Sequence, residues 1–377
     1  MKRPDKKILM IFIEPTPYIL DLLSKGFLDW KNKLEIVFLS ENISQHWNLE
    51  PCLMPFQIIK SKKQALTLLA RIFLRRKYCF IHVAGWSHPF ILFLILTSRF
   101  FFLPVVVESD TPINLDTPGW KKSIKQFFYP LLFKFPVFFL PGGIRQSKYL
   151  TYYGVKSNKM INAQMTVDVA YITQYVNSIC EAAREKLRLQ HGVQKDDLVF
   201  LFVGRLLEYK GVRELIAAIE LLQDTRVKLW VVGSGELTDE IKLAALKSNQ
   251  ITYFGRVSGD LLWPIYHAAD VFVISSHAEP WGLVVNEAMA AGLPIIATEN
   301  VGCVDDLVLD KHRGIIVRPK NIAALSQAMN DMLQYPEKRK SMAKNAAEHI
   351  ANWTLQNEAG NIINAWEKSC WHENKYS

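Results

Sequence analysis

Cysteine is scarce in this 377-residue chain. The five present (Cys52, Cys79, Cys180, Cys303 and Cys370) are scattered, odd in number and never in Cys-x-x-Cys spacing. That excludes a disulfide framework and a cysteine-held zinc site, and fits a reducing cytoplasm. Long apolar runs are missing too. The first, Ile8–Ile13, is stopped after six residues by Glu14 and Pro15. It is too short for a cleavable signal or a membrane span, and reads as a buried strand. Residues 78–98 carry no charge, but Gly85, Ser87, His88 and Pro89 divide them into a strand, a loop and a buried helix. Short-period repeats and low-complexity segments are absent, and so is G-x-G-x-x-G, since Val232-Gly-Ser-Gly-Glu236 has the wrong spacing. Acidic charge is short in one half only. Residues 1–168 hold 23 Lys and Arg against 11 Asp and Glu, whereas residues 169–377 hold 22 against 25, for a net charge of +9. Such asymmetry marks a partner for the basic half, an anionic lipid surface or an acidic substrate. No nucleic-acid-binding motif accompanies the charge, so nucleic acid is not expected.

What is present is apolar, at 50% of residues, with 21% charged, which is the composition of a globular protein of two ordinary domains. Short β-rich apolar runs at Ile8–Ile13, Leu34–Leu39, Cys79–Val83, Pro104–Glu108 and Val137–Pro141 alternate with helical segments such as Lys62–Arg75 and Phe90–Phe101. A second series follows at Leu198–Gly204, Val227–Gly233, Ile251–Gly255, Val271–Ser275 and Pro294–Ala297. Alternation of this kind predicts two doubly wound α/β domains with parallel sheets, joined near residues 165–196, whose ligands sit beyond the carboxyl ends of the strands. The segment Lys121–Pro136, with Trp120 just before it, mixes Lys121, Lys122, Lys125 and Lys134 with Phe127, Phe128, Leu131 and Phe133. It is either an amphipathic helix with its rings in the core or a segment lying in the lipid interface. The excess of positive charge in the same half favours the interface.

The most informative stretch runs from Glu279 through Pro-Trp-Gly to Glu287. A turn here opens a helix, and a helix start presents unpaired backbone N–H groups and the positive end of a dipole, which suit phosphate. Carboxylates would repel a phosphate but accept hydrogen bonds from neutral hydroxyls. A nucleotide sugar carries both kinds of group. The same glutamates could merely stabilise the helix start, and what raises the ligand reading is Val203-Gly-Arg-Leu-Leu-Glu-Tyr-Lys-Gly211. It places Arg205 and Lys210 between a strand and the helix Val212–Leu222, where a diphosphate would be met: arginine with two parallel hydrogen bonds, lysine as a point charge.

These motifs resemble those of the family-4 glycosyltransferases, retaining enzymes of the GT-B fold. The resemblance rests on Val-Gly-Arg-Leu…Lys-Gly at 203–211, Gly-Ser-Gly at 233–235, Gly-Arg-Val at 255–257 and the E-x7-E pair Glu279 and Glu287. Val301-Gly-Cys-Val-Asp-Asp306 is similar to members that build bacterial surface polysaccharides, lipopolysaccharide among them. The resemblance implies two Rossmann-like domains facing across a cleft. Residues 1–168 would form the acceptor side, braced by a C-terminal helix at 353–371, and residues 169–352 would bind the nucleotide sugar. It implies a retaining, metal-independent hexosyltransferase with no cofactor beyond the nucleotide-sugar co-substrate. Arg205, Lys210 and Glu279 would be catalytic. The donor would be bound by Gly204, Arg205, Lys210, Gly233, Arg256, Glu279, Gly282, Leu283, Val284 and Glu287, with Glu287 on the ribose hydroxyls and Glu279 on the sugar.

On the acceptor side the candidates are Glu14, His82, Glu108 and Asp110. Where many members carry His-x-His, this chain reads His82-Val83-Ala84, so the second histidine is replaced and His82 is as readily a core residue. The acceptor expected is a hydroxyl of a growing, lipid-linked glycan. The protein would be cytoplasmic, peripheral on the inner face of the membrane, with its basic half against anionic lipid. The rival readings are a GT-B sugar-nucleotide epimerase and a non-catalytic, basic membrane-binding module.

Overall fold

A computed structural model describes residues 6–41, 49, 51–74, 77–113, 119–309 and 312–373, with side chains through 369. Its contacts divide the chain into two units. One is the chain up to Met165 together with the helix Leu355–Glu373, and the other is Thr166–Thr354.

The first unit is built on strands β1 (Lys7–Phe12), β2 (Leu34–Phe38), β3 (Phe56–Ile58), β4 (Tyr78–Ala84), β5 (Val105–Ser109) and β6 (Phe138–Pro141). All neighbours pair in parallel, in the order β3-β2-β1-β4-β5-β6. Alternate residues of the apolar runs go to opposite faces, and both faces are covered, as a parallel sheet requires. Met10, Phe12 and Phe80 pack with Trp366 of the C-terminal helix, while Leu9, Ile11, Ile81 and Val83 pack with Leu68, Ile91 and Leu94. Gly26 lets the C-terminal helix close in, because a Cβ there would stand 3.0 Å from both Ala359 Cβ and the Leu355 carbonyl. Phe27 stacks on Trp366 beside it, ring centroids 5.2 Å apart.

The second unit repeats the plan with β7 (Leu198–Val203), β8 (Val227–Val232), β9 (Ile251–Gly255), β10 (Val271–Ile274), β11 (Ile295–Thr298) and β12 (Gly314–Val317), ordered β12-β11-β10-β7-β8-β9. Each sheet reverses its strand order between its first and fourth strands, β1/β4 and β7/β10. Such a switch point leaves a crevice beyond the strand ends. Asp270 anchors the strand bottoms: it pairs with Arg184 at 2.8 Å and Arg188 at 2.9 Å, and accepts from the Val199 N–H at 2.8 Å.

Two strands escape the sequence reading. β3 is a three-residue exposed edge and β12 is a four-residue run that opens on glycine. Neither is long enough to show a period. Residues 78–98 form β4, a loop and the helix Pro89–Ser98. Among the described residues no helix is long and apolar enough to cross a membrane. The basic aromatic segment becomes the helix Gly119–Leu132, none of whose residues is buried. Its rings divide. Trp120, Phe127, Phe128 and Leu131 are exposed, but Phe133 is buried between Trp86, Tyr129 and Phe139 and leaves the lipid-facing group.

Candidate functional site

The loops after β7 and β10 are clamped together at the switch point of the second unit. After β7, Gly204 and Arg205 lead through the turn Glu208–Lys210 to Gly211, which caps the helix Val212–Leu222 with φ +71°. A Cβ at Gly211 would lie 2.1 Å from the Ser275 carbonyl oxygen, and the Ser275 hydroxyl donates to the Lys210 carbonyl at 3.1 Å. Lys210 Nζ thereby reaches Glu279 Oε2 in an ion pair whose side chains are only 14% and 13% exposed. The Ser276 hydroxyl donates to the same oxygen at 3.4 Å. The Glu279 backbone is held on both sides: its N–H donates to the Asn300 carbonyl at 3.3 Å, and its carbonyl accepts from the Gly302 N–H at 2.9 Å. Arg205 is exposed, and its Nη2 donates to the Tyr209 hydroxyl at 2.5 Å. Lys210 Nζ lies 5.4 Å from the centroid of the Tyr209 ring. Tyr209 thus contacts both cations.

Backbone closeness explains the glycines. Gly233 has φ +143°, and a Cβ there would stand 1.8 Å from the Gly204 carbonyl oxygen, so no side chain fits. Its N–H donates to the Gly255 carbonyl at 2.8 Å, and its carbonyl accepts from the Tyr253 hydroxyl at 2.9 Å. The ends of β7, β8 and β9 therefore meet as bare backbone, with exposed Arg256 just beyond. Phe254 packs its ring on Trp230 and His191 at 5.2 and 4.5 Å.

Gly282, at φ +98°, caps the helix Leu283–Ala290. The first N–H groups of that helix, at Leu283 and Val284, have no intrahelical acceptor by construction. A buried relay fixes this start. Trp281 Nε1 donates to Asn286 Oδ1 at 3.1 Å, Asn286 Nδ2 donates to Thr166 Oγ1 at 3.2 Å, and Thr166 Oγ1 donates to the Trp353 carbonyl at 2.9 Å. Glu287 points elsewhere than Glu279. Its Oε2 accepts from the Tyr266 hydroxyl at 2.8 Å. Burial pushes the Glu287 carboxyl up to about 7, against the pull of the Tyr266 hydrogen bond. Burial first, then the Glu287 charge, raises the Tyr266 phenol. Nothing in the sequence marks Tyr209 or Tyr266 as functional. An aromatic in a short helix such as Trp263–Ala268 signals core, and its hydroxyl acquires a partner only by tertiary contact.

In the first unit Glu14 lies beyond β1, Glu108 lies near the end of β5 and Asp110 directly follows that strand. All three press negative charge on the Tyr18 phenol, which burial above all pushes up to about 12. His82 on β4 is fully buried. Its Nδ1 accepts from Trp366 Nε1 at 2.9 Å, and its Nε2 lies 2.8 Å from Glu108 Oε1 but poorly aligned for a hydrogen bond. His82 could therefore act on a ligand only through Glu108, which is partly exposed.

Two doubly wound parallel sheets with glycine-rich strand ends at a switch point define the class, the GT-B fold. Anabaena HepE, crystallised with UDP, shares it: TM-score 0.75 at 18% identity, over 96% of this chain and 100% of that one. Residues 183–349 match the model of the glycosyl transferases group 1 family. An uncharacterized glycosyltransferase of Methanocaldococcus jannaschii is 33% identical over 181 residues, 47% of this chain and 46% of that protein. The N,N'-diacetylbacillosaminyl-diphospho-undecaprenol alpha-1,3-N-acetylgalactosaminyltransferase of Campylobacter jejuni is 26% identical over 304 residues, 78% of this chain and 77% of that one. The chain spans about half the length, or less, of the first curated relatives it matches.

Proposed function

We propose that this chain is a retaining, metal-independent glycosyltransferase that moves a sugar from a nucleoside diphosphate sugar to a hydroxyl of a growing, lipid-linked glycan. The observation that carries the reading is the meeting of Lys210 from the β7 loop with Glu279 from the β10 loop, beside Arg205 and the start of the helix Leu283–Ala290. One end of this array suits a diphosphate and the other suits hydroxyls. Arg205, Lys210 and the Leu283 and Val284 N–H groups would hold the diphosphate, Glu279 the sugar and Glu287 the ribose. In the reaction the bond from the anomeric carbon to the β-phosphate oxygen breaks and a bond to the acceptor oxygen forms on the same face. The acceptor proton passes to the departing phosphate oxygen. Charge growing on that oxygen is met by fixed cations, the stabilisation that counts most in a water-poor site.

Glu14, Glu108 and Asp110 are the candidates for acceptor hydroxyls in the first unit. The bound state we favour has that unit against the inner face of the cytoplasmic membrane. Residues 51–107 contain no acidic residue, and the helix Gly119–Leu132 exposes Trp120, Ile124, Phe127 and Phe128 beside Lys121, Lys122 and Lys125.

Thermal-shift titration with UDP, GDP, ADP and their sugar derivatives tests the donor site, with Glu287→Ala as control. Stabilisation by one nucleotide series, weakened in the variant, supports it. A folded protein that shifts with none of them rejects it. Labelled sugar passing to a lipid extract separates a transferase from an epimerase, which would leave it on free nucleotide. Arg205→Ala should lower kcat by about 100-fold with the fold retained, and wild-type turnover would remove Arg205 from the chemistry.

A further inference from the structure

We infer that His82, held by Trp366, is a positioning residue that aims the Glu108 carboxylate at the acceptor; this rests on the reading of Glu108 as an acceptor contact. The ring of His82 sits among apolar neighbours. Met10 on β1 and Val106 on β5 are its register partners, and the rings of Phe12 and Trp366 lie 6.3 and 5.7 Å from it. An apolar side chain would fill this place at lower cost, because a buried histidine needs partners for both ring nitrogens. The indole Nε1 can only donate. Trp366 therefore fixes His82 Nδ1 as an acceptor, at 2.9 Å, and leaves the ring proton on Nε2. That N–H lies 2.8 Å from Glu108 Oε1, off the line of an ideal hydrogen bond. One end of the buried ring thus meets the C-terminal helix, and the other meets a carboxylate whose side chain is 26% exposed.

Little else restrains that carboxylate. The Glu108 backbone is fixed, since its carbonyl accepts from the Gly85 N–H at 3.0 Å, but its register partner Ala84 brings only a methyl. Among the described residues no other side chain donates to the Glu108 carboxylate, and the charge of nearby Asp110 repels it. The His82 N–H therefore selects the rotamer of Glu108. It occupies Oε1 and leaves Oε2 for a hydroxyl of the acceptor. A carboxylate turned in advance loses less freedom when it takes that hydroxyl. No proton moves along the Trp366–His82–Glu108 series, and the acceptor proton still leaves with the phosphate oxygen.

The test combines imidazole NMR with transfer kinetics on the intact chain. In wild type labelled with 15N-histidine, the His82 ring, assigned by its loss in His82→Gln, should carry its proton on Nε2. Glu108→Ala should move that Nε2 resonance. A proton on Nδ1, or an Nε2 resonance indifferent to Glu108→Ala, overturns the inference. Kinetics follow labelled sugar passing to a total bacterial lipid extract from whichever of UDP-glucose, GDP-mannose and ADP-glucose binds. At saturating nucleotide sugar, His82→Leu should raise the extract concentration for half-maximal transfer by roughly tenfold and leave nucleotide affinity unchanged. His82→Gln, which keeps an N–H for Glu108, should recover most of that loss. Glu108→Ala should cost at least as much, and adding His82→Leu to it should cost nothing further. A merely structural histidine would add its own loss in the double variant, and additive losses overturn the inference. If His82→Leu does not fold, the wild-type spectrum and His82→Gln still decide. Glu108→Ala that transfers like wild type, or a wild type that transfers no label, overturns the acceptor reading beneath the inference.

Discussion

The Tyr266 hydroxyl donates to Glu287 Oε2 at 2.8 Å, tying a buried phenol to a half-buried carboxyl that desolvation pushes up to about 7. Folding raises this acid above its ordinary value of 4.5, so the protonated form is the one the fold favours. Its contribution to stability is complete below the unfolded value and is lost as pH rises through about 7, by no more than about 3 kcal/mol. Wild type should therefore lose stability relative to Glu287→Gln between pH 5 and 8. A ligand whose hydroxyls donate to the carboxylate recruits the ionised form, so nucleotide-induced stabilisation should grow from pH 6 to 8 in wild type and stay flat in the variant. Melting curves with and without nucleotide across that range decide both points.

Removing the phenolic hydroxyl has a predictable sign. Tyr266→Phe deletes the hydrogen bond that favours the ionised form, so the pH at which nucleotide stabilisation appears should move upward. Loss of a buried donor to a carboxyl should also cost about 1–3 kcal/mol of stability. An unmoved pH midpoint in Tyr266→Phe would show that the hydroxyl does not tune Glu287.

Gly233→Ala puts a methyl 1.8 Å from the Gly204 carbonyl oxygen. Backbone on both sides leaves nothing to yield cheaply, and the positive φ adds strain. The variant should lose several kcal/mol, about 3 or more, and with it nucleotide binding. Gly255→Ala, where a Cβ meets nothing within 4 Å, should cost only the strain of its φ, about 1 kcal/mol. Urea denaturation of the two variants separates a steric from a purely conformational effect.

Trp366→Phe should destabilise the first unit by about 1–3 kcal/mol, because it strips the buried His82 Nδ1 of its donor. Nucleotide affinity should hold, since every residue we propose for the donor site lies in the second unit. A variant that folds as well as wild type would show that His82 needs no such partner.

The exposed rings of the helix Gly119–Leu132 predict membrane behaviour. Phe127→Ser with Phe128→Ser should reduce sedimentation with phosphatidylglycerol-containing vesicles by about tenfold, and raised salt should weaken what remains. Neutral phosphatidylcholine vesicles should bind little. Equal binding to both vesicle types would refute the electrostatic part, and an unchanged double variant the insertion of the rings.

Strand and helix order was legible in the sequence, because parallel strands buried on both faces must be continuous apolar runs, and those from Ile8 to Pro141 and from Leu198 to Ala297 are. Glycine and charge at strand ends marked Gly204, Arg205, Lys210, Gly233 and the two glutamates as a group, since the doubly wound topology brings strand ends to one edge. What the sequence could not contain is partnership. That Lys210 meets Glu279 and not Glu287, that Tyr266 serves Glu287, that Trp366 reaches back to His82, and that Phe133 turns inward while Phe127 and Phe128 stay outside all depend on separations of a few ångströms between residues far apart in the chain. Composition and periodicity decide which face of an element is buried, but only the packed tertiary structure decides which side chain is met there.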